Sequence, residues 1–238
     1  MSDTISHNTV PLLDVRNVCN TYTGKTFGLF GKKEIKQVLN GASLELETGE
    51  ILGLTGESGC GKTSLARCIL GLINYEGEIF IDGQKQEQKQ YSPLARQVQL
   101  VFQDSEVSLN PAKKIGWLLE EPLVIHKIGV AKERKQQVDE MLHRVGLDPS
   151  YKTRRVYELS GGQKQRACIG RALMLKPKLL IADEAISSLD VPTGAQILNL
   201  FRELHESSRL SILFISHNRN AVEYLCDRIV SMKDGKIY

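Results

Sequence analysis

The chain has 238 residues, of which 41% are hydrophobic and 25% charged, and its formal net charge is +3. This composition is typical of a soluble globular protein and excludes collagen-like, disordered and disulfide-dense chains. The small net charge gives no argument for nucleic acid as a partner. No apolar run reaches the length of a membrane span, and the first ten residues lack the pattern of a secretory signal peptide. We therefore expect a chain that stays in the cytosol, which leaves docking on a membrane partner open.

Residues 12–18 and 38–46 partly alternate between apolar and polar, which predicts two strands, with a glycine- and lysine-rich loop at 23–36 between them. Residues 84–90 are nearly all Gln, Lys and Glu, which favours a solvated loop or helix end. Further short apolar segments predict strands at 51–54, 77–82, 99–102, 179–182, 211–215 and 229–232. Helices are predicted at 62–72, 131–145, 163–175, 196–204 and 221–226. This alternation favours an α/β fold with a mostly parallel sheet covered on both faces.

The first chemical motif is the octapeptide Gly56–Thr63, which has the pattern G-x-x-x-x-G-K-[ST]. It follows an apolar strand and opens a predicted helix, where glycines let backbone N–H groups turn around a phosphate. Lys62 would reach the outer phosphates, and the Thr63 hydroxyl would ligate Mg²⁺. The motif predicts a phosphate-binding loop, and by itself leaves kinases, GTPases and ATPases open.

The second motif is the pair Asp183 and Glu184, which directly follows four apolar residues. Asp183 at the end of a buried strand can hold Mg²⁺ through a water, and Glu184 is then placed to polarise a water aimed at the γ-phosphate.

The third motif is Leu-Ser-Gly-Gly-Gln at residues 159–163, here called the signature segment. It is a second phosphate-binding helix start, because Ser160 is a good N-cap and the glycines expose backbone donors. Since one nucleotide needs only one such cradle, the second is predicted to serve a nucleotide held by another subunit.

With these motifs in order, the chain resembles the ATP-binding subunit of an ABC transporter from about residue 12 to residue 238. The resemblance implies a P-loop NTPase fold with a RecA-like core, a small antiparallel β subdomain and an α-helical subdomain. It divides a single domain into 11–103 (β subdomain and phosphate-loop part of the core), 104–158 (helical subdomain) and 159–238 (the rest of the core). It also implies ATP and Mg²⁺ as cofactors and ATP hydrolysis coupled to transport.

The resemblance implies the following site residues. The groups acting in hydrolysis are Lys62, Gln103, Glu184 and His217, with Gln103 as the Q-loop glutamine and His217 as the switch histidine. The Mg²⁺ ligands are Thr63, Gln103 and Asp183. The nucleotide contacts are Tyr22, Gly56, Glu57, Ser58, Gly59, Cys60, Gly61, Lys62, Thr63, Ser64, Ser160, Gly161, Gly162 and Gln163. Phe27 and Phe30 remain alternatives to Tyr22 for stacking on adenine.

A finer resemblance, to the peptide and nickel importer subfamily, is carried by Val101–Ser105, Leu109-Asn110-Pro111 and Glu121-Pro122-Leu123. Asp104-Ser105 and Ala185 are most similar to the second ATPase subunit of nickel importers. Asn218 and Ala185 depart from the aspartate and proline that are commoner in the family. The chain ends at Tyr238, where subfamily members usually continue, so we expect it to be truncated or naturally short.

The resemblance implies transmembrane permease subunits and a second, related or identical ATPase as partners, an extracytoplasmic solute-binding protein indirectly, and no nucleic acid. It places the chain at the cytoplasmic face of the membrane. The alternative is a soluble ABC ATPase acting on DNA or on the ribosome, which usually carries long insertions or two such domains. Cys60 also suggests a redox role, although a small residue that simply fits the loop is the plainer interpretation. The five cysteines form no CxxC pair and predict reduced thiols, and the scattered histidines do not suggest a metal site.

Overall fold

A computed structural model describes residues 10–23, 35–87, 96–102 and 108–238. The strands are β1 (Leu13–Thr23), β2 (Ile35–Leu46), β3 (Ile51–Thr55), β4 (Glu76–Ile81), β5 (Gln84–Lys85), β6 (Val98–Val101), β7 (Leu179–Asp183), β8 (Ser211–Ile215), β9 (Arg228–Lys233) and β10 (Lys236–Ile237). The α-helices are α1 (Lys62–Ile69), α2 (Ile115–Ile125), α3 (Ala131–Arg144), α4 (Gly161–Leu173), α5 (Val191–Ser208) and α6 (Arg219–Leu225).

The larger sheet has the strand order β10-β9-β3-β8-β7-β6, and all of its pairs are parallel except β10 with β9. Every residue of β7 and β8 is buried, and so are the first four residues of β3. Helices cover both faces of a parallel sheet, so its central strands are apolar throughout. The predicted α/β fold with a mostly parallel sheet is confirmed.

The smaller sheet is antiparallel, with the order β2-β1-β4-β5. Its inner face packs against α1 and the larger sheet, and Leu39, Leu65, Ile79 and Leu213 share one buried cluster. The Asn40 N–H donates to the Gly235 carbonyl at 2.9 Å and ties β2 to the turn that precedes β10. This sheet therefore lies over the start of α1, beside the predicted phosphate loop.

A helical region lies between β6 and the signature segment. In α3 the predicted apolar stripe is buried, with Val138, Met141 and Leu142 in a cluster that continues across the other face of the larger sheet. The periodicity analysis missed α2, because this helix is apolar on most sides and buries Ile115 while it exposes Ile125. Two 3₁₀ turns, Pro149–Thr153 and Val156–Glu158, complete the region. The division at residues 104 and 158 stays a prediction.

Some predicted bounds were wrong. Residues 84–90 were expected to be loop or helix end, but Gln84 and Lys85 form β5 because the Asp82-Gly83 turn returns the chain against β4. The strands β1 and β2 extend to Thr23 and from Ile35, into the stretch expected as loop, because they pair with each other there. The rest of that stretch and residues 88–90 lie outside the described residues. Helix α5 begins at Val191, five residues before the predicted start, because Asp190 caps it.

Gly53 of β3 provides a test of packing beneath the phosphate loop. A Cβ added at Gly53 would lie 2.5 Å from Val222 Cγ1 and 3.0 Å from Cys226 Sγ. We expect Gly53→Ala to lower the free energy of unfolding by about 1–3 kcal/mol, because the sheet and α6 must move apart. Urea denaturation of the ligand-free chain measures this change.

The matched control is Gly194→Ala in α5, where the nearest atom to an added Cβ is Ile186 Cβ at 3.9 Å. Alanine is the better helix former, so this variant should be neutral or more stable by about 0.5–1 kcal/mol. Equal losses in the two variants would contradict the packing argument.

Candidate functional site

The loop after β3 is shaped by close backbone contacts. Gly56, Gly59 and Gly61 all have positive φ, at 152°, 81° and 117°. A Cβ on Gly56 would lie 2.4 Å from the Met232 carbonyl oxygen, and one on Gly61 would lie 2.9 Å from the Val38 carbonyl oxygen. Only glycine avoids both the strained conformation and the clash. The loop is therefore held between β9 and β2 with its backbone turned around the start of α1.

Lys62 is the first residue of α1 and is only 7% exposed. Its Nζ donates to the carbonyl oxygens of Gly56 at 2.7 Å and Glu57 at 2.9 Å. It also lies 3.8 Å from Cys60 Sγ. The lysine thus crosses the inside of the loop, and its own chain satisfies the buried ammonium group.

Asp183 ends the buried strand β7 and is 5% exposed. Burial raises the pKa of Asp183, a hydrogen bond with the Thr63 side chain lowers it, and the neighbouring charge of Glu184 raises it further. Asp183 Oδ1 is buried and has no hydrogen-bond partner among the described residues. The carboxylate is therefore held in an environment that penalises its charge and leaves one oxygen unsatisfied.

Glu184 and His217 are in direct contact with each other. Glu184 has a positive φ of 53°, and its N–H donates to the Ile215 carbonyl at 2.9 Å. Its carboxylate accepts from the His217 backbone N–H at 3.1 Å, and His217 Nδ1 lies 2.9 Å from each carboxylate oxygen. Since β8 pairs with β7, the residue two positions beyond β8 lies beside the residue that follows β7. His217 Nε2 has no hydrogen-bond partner among the described residues.

Lys62, Glu184 and His217 line one cleft of about 390 Å³, whereas Asp183 is not among its lining residues. Its lining residues are Ser58, Gly59, Gly61, Lys62, Thr63, Ser64, Glu184 and His217. The structure thus brings together six of the ten residues of the first two motifs, with Ser64 and His217 from the resemblance. Backbone donors, a lysine and a helix N-terminus on one side and a carboxylate on the other suit a polyphosphate and an attacking water.

The signature segment lies elsewhere in the chain, and none of its residues lines this cleft. Ser160 is the N-cap of α4, and its hydroxyl oxygen accepts from the Gln163 N–H at 3.4 Å. A Cβ on Gly162 would lie 2.5 Å from Thr193 Cγ2, so this backbone packs directly against the start of α5. The segment therefore forms a capped helix N-terminus that lies outside the cleft.

Of the other predicted residues, those that the structure describes do not line the cleft. Tyr22 lies in β1 opposite Lys36, is 47% exposed and does not line the cleft. Gln103, Phe27 and Phe30 lie outside the described residues, as do Asp104 and Ser105. The roles of Tyr22 and Gln103 stay predictions.

Sequence reasoning missed Tyr151, whose hydroxyl oxygen accepts from Gln163 Nε2 at 3.1 Å. No spacing rule signals this contact, because it depends on how a 3₁₀ turn packs against α4. It also missed the backbone carbonyls of Val38 and Met232, which close around the phosphate loop and come from distant strands.

Comparison with known proteins agrees with this geometry. A model of the family described as ABC transporter matches residues 39–187. The chain belongs to the ABC transporter family. It is 42% identical to the oligopeptide transport ATP-binding protein AppF of Bacillus subtilis, over 97% of this chain and 71% of that protein. It is 40% identical to the dipeptide transport ATP-binding protein DppF of Haemophilus influenzae, over 99% of this chain and 73% of that protein.

Among solved structures, the chain resembles the ATP-binding cassette MJ0796 in a dimeric, post-hydrolysis state bound to ADP and Pi. The TM-score is 0.79 at 28% identity, over 94% of this chain and 96% of that one. The P-loop NTPase fold implied by the family resemblance is therefore confirmed. As an ABC family member, the chain binds ATP and is an ATPase.

We expect Lys62→Ala to lower the affinity for ATP by more than about tenfold, because a buried cation next to the phosphate loop is lost. Equilibrium binding of a fluorescent ATP analogue measures this. Lys236→Ala, which removes an exposed lysine in β10, is the control and should bind as the parent does. Unchanged binding by Lys62→Ala would exclude contact between this lysine and the phosphates.

Proposed function

We propose that this chain is the ATP-hydrolysing subunit of an importer for peptides or small peptide-like compounds. The names of the relatives support this substrate class, since they include oligopeptide and dipeptide transport and glutathione import. These names do not specifically support nickel, which stays a prediction. They favour transport over an ABC ATPase that acts on DNA or the ribosome.

The observation that carries the proposal is the separation of the two phosphate-binding helix starts. The cleft at α1 is lined by residues of the phosphate loop together with Glu184 and His217, while the signature segment at the start of α4 does not line it. Two copies of such a chain, paired head to tail, would place each signature segment over the other chain's cleft. The dimeric state of the cassette MJ0796 supports the pairing of two chains. ATP then joins the two chains, and hydrolysis releases them.

Each wall of the cleft has a separate role in hydrolysis. Lys62 and the loop N–H groups hold the β- and γ-phosphates and stabilise the charge that develops on them. The Glu184 carboxylate orients a water and accepts its proton. His217 fixes that carboxylate and contacts the γ-phosphate. Ser160 and the two glycines of the partner's signature segment close the far side, and Gln103 is proposed to link the site to the membrane subunits.

The residues present also fit a magnesium ion. The unpartnered Asp183 Oδ1 and the Thr63 hydroxyl are oxygen donors, which Mg²⁺ prefers, and Asp183 is hydrogen-bonded to the Thr63 side chain, which lines the cleft. Mg²⁺ would neutralise part of the phosphate charge. Thr63 would hold it directly and Asp183 through a water, with Gln103 as a further ligand.

The proposal also includes membrane partners. No helix in the described part of the chain is long and apolar enough to cross a membrane. We propose that the chain is a peripheral subunit on the cytoplasmic face, where residues 104–158 form a helical subdomain that contacts permease subunits. A solute-binding protein outside the membrane would deliver the cargo. ATP-driven closure of the two cassettes would then drive alternating access in the permease.

The first test uses Glu184→Gln, which keeps the size of the side chain and removes the carboxylate. We expect this variant to bind ATP, to lose hydrolysis by more than about a hundredfold, and to shift from monomer to dimer with Mg-ATP. Phosphate release and size-exclusion chromatography with light scattering measure these effects. Glu223→Gln, which removes an exposed carboxylate of α6, is the control.

Persistent turnover by Glu184→Gln would overturn the role of this carboxylate. If the variant binds ATP but stays monomeric, self-pairing is contradicted and the second ATPase is a different chain. Co-expression with candidate permease subunits and peptide uptake in vesicles then test the transport role. A chain that pellets with ribosomes instead would favour the alternative function.

A second test addresses the metal. Removing Mg²⁺ with EDTA should stop hydrolysis while ATP binding persists, because the loop and Lys62 still contact the phosphates.

Asp183→Asn should raise the Mg²⁺ concentration needed for half-maximal hydrolysis by about tenfold or more, because a neutral amide is a weaker partner for the hydrated ion. An unchanged Mg²⁺ dependence would remove Asp183 from the metal site.

A further inference from the structure

We propose that Tyr151 is a positioning residue that holds Gln163, and through it Ser160, ready for a nucleotide bound by the facing chain. This inference rests on the two-chain site under the proposed function. Tyr151 lies in the 3₁₀ turn Pro149–Thr153, twelve residues before Gln163 and outside every motif of the site.

Contacts at both ends of the Gln163 amide carry the inference. Gln163 Nε2 donates to the Tyr151 hydroxyl oxygen at 3.1 Å. Gln163 Oε1 accepts from the Ser160 backbone N–H at 3.0 Å, and Ser160 Oγ accepts from the Gln163 N–H at 3.4 Å. A capping box needs only the last two bonds. The tyrosine adds the third, which fixes the side of the amide that faces Ser160.

Tyr151 is itself held firmly. Its ring is half-buried and packs against the apolar cluster of the helical region, and the Arg154 guanidinium carbon lies 3.9 Å from the ring centroid. The Tyr151 N–H donates to the Asp148 carbonyl at 2.9 Å, and the Arg154 N–H donates to the Tyr151 carbonyl at 3.0 Å. Asp148 caps the turn, since its Oδ1 accepts from the Ser150 N–H at 2.8 Å. The hydroxyl therefore reaches Gln163 from a fixed support.

The consequence concerns Ser160. Because its Oγ already accepts from Gln163, its hydroxyl proton remains available to donate to an anion on the facing chain. A glutamine side chain without a partner samples many rotamers, and ordering it during association costs free energy. The contact with Tyr151 already orders this side chain in the single chain, so association does not have to order it. It should therefore strengthen the ATP-dependent association of two chains and leave ATP binding by a single chain unchanged.

The test places Tyr151→Phe in the Glu184→Gln background, which keeps the ring under Arg154 and removes only the hydroxyl. We expect ATP-dependent dimerisation to weaken by about three- to tenfold, the effect of losing one ordered hydrogen bond. ATP affinity of the monomer should stay unchanged, and its thermal midpoint should fall by no more than about 2–4 °C, the effect of one hydrogen bond in a chain of this size. Tyr157→Phe is the matched control, because Tyr157 is 68% exposed and makes no side-chain hydrogen bond with the described residues.

A second measurement does not depend on dimerisation. Hydrogen exchange of the Ser160 amide in the monomer should become faster in Tyr151→Phe and not in Tyr157→Phe, because the acceptor Gln163 Oε1 is then less ordered. In the Gln163→Ala background, Tyr151→Phe should have no further effect on either readout.

The outcomes distinguish the positioning role of Tyr151 from the self-pairing of chains under the proposed function. If the parent Glu184→Gln chain does not dimerise with ATP, self-pairing under the proposed function fails, and amide exchange alone decides the role of Tyr151. If amide exchange at Ser160 is unchanged in Tyr151→Phe, the positioning role is overturned. Equal losses of dimerisation in the Tyr151 and Tyr157 variants, or a drop in monomer stability that accounts for the loss, would also overturn it.

Discussion

The parallel pairing of three buried strands, β3, β8 and β7, sets the positions of the main chemical groups in the nucleotide cleft. Ile215 of β8 pairs with Leu54 of β3 and with Asp183 of β7, so these residues form one row across the sheet. Within two residues of that row lie Gly56, Glu184 and His217. Since parallel strands end at the same edge, a phosphate loop, a carboxylate and an imidazole come together there. A one-residue slip in either pairing would turn these groups away from each other.

Two buried polar groups of the site, Lys62 and Asp183, lie near the same edge of the sheet, and burial affects their free energies differently. Lys62 is buried but satisfied by two loop carbonyls, whereas burial raises the pKa of Asp183 and leaves its Oδ1 without a partner among the described residues. An unsatisfied buried oxygen opposes folding, and a ligand that supplies its partner stabilises the folded chain. The proposed magnesium ion would supply that partner to Asp183 Oδ1. A fully satisfied core at this position would be more stable and would offer no oxygen to the proposed magnesium ion.

The sequence predicts some of these features better than others. The all-apolar strands β7 and β8 and the phosphate loop carry local signals, because burial and glycine conformations constrain neighbouring residues. The histidine at 217 has no such signal, since its position depends on β8 lying next to β7, and only the family resemblance identified it. Helix α2 was missed because its apolar residues surround it, so that no periodic face can be recognised. The partner of Gln163 at Tyr151 depends on tertiary packing alone.

The two parts of the proposed site are built in different ways. The cleft depends on strands far apart in sequence, while the signature segment is organised mostly by residues within twelve positions, through the Ser160 cap and the Tyr151 contact. Neither of these contacts involves a residue of the cleft, so one chain can present an ordered signature segment before it meets another. In the proposed two-chain site, ATP then has to bring together two preformed surfaces and does not have to order either of them. In such a site the nucleotide's contacts with both chains contribute directly to association, and their loss on hydrolysis is enough to separate the chains.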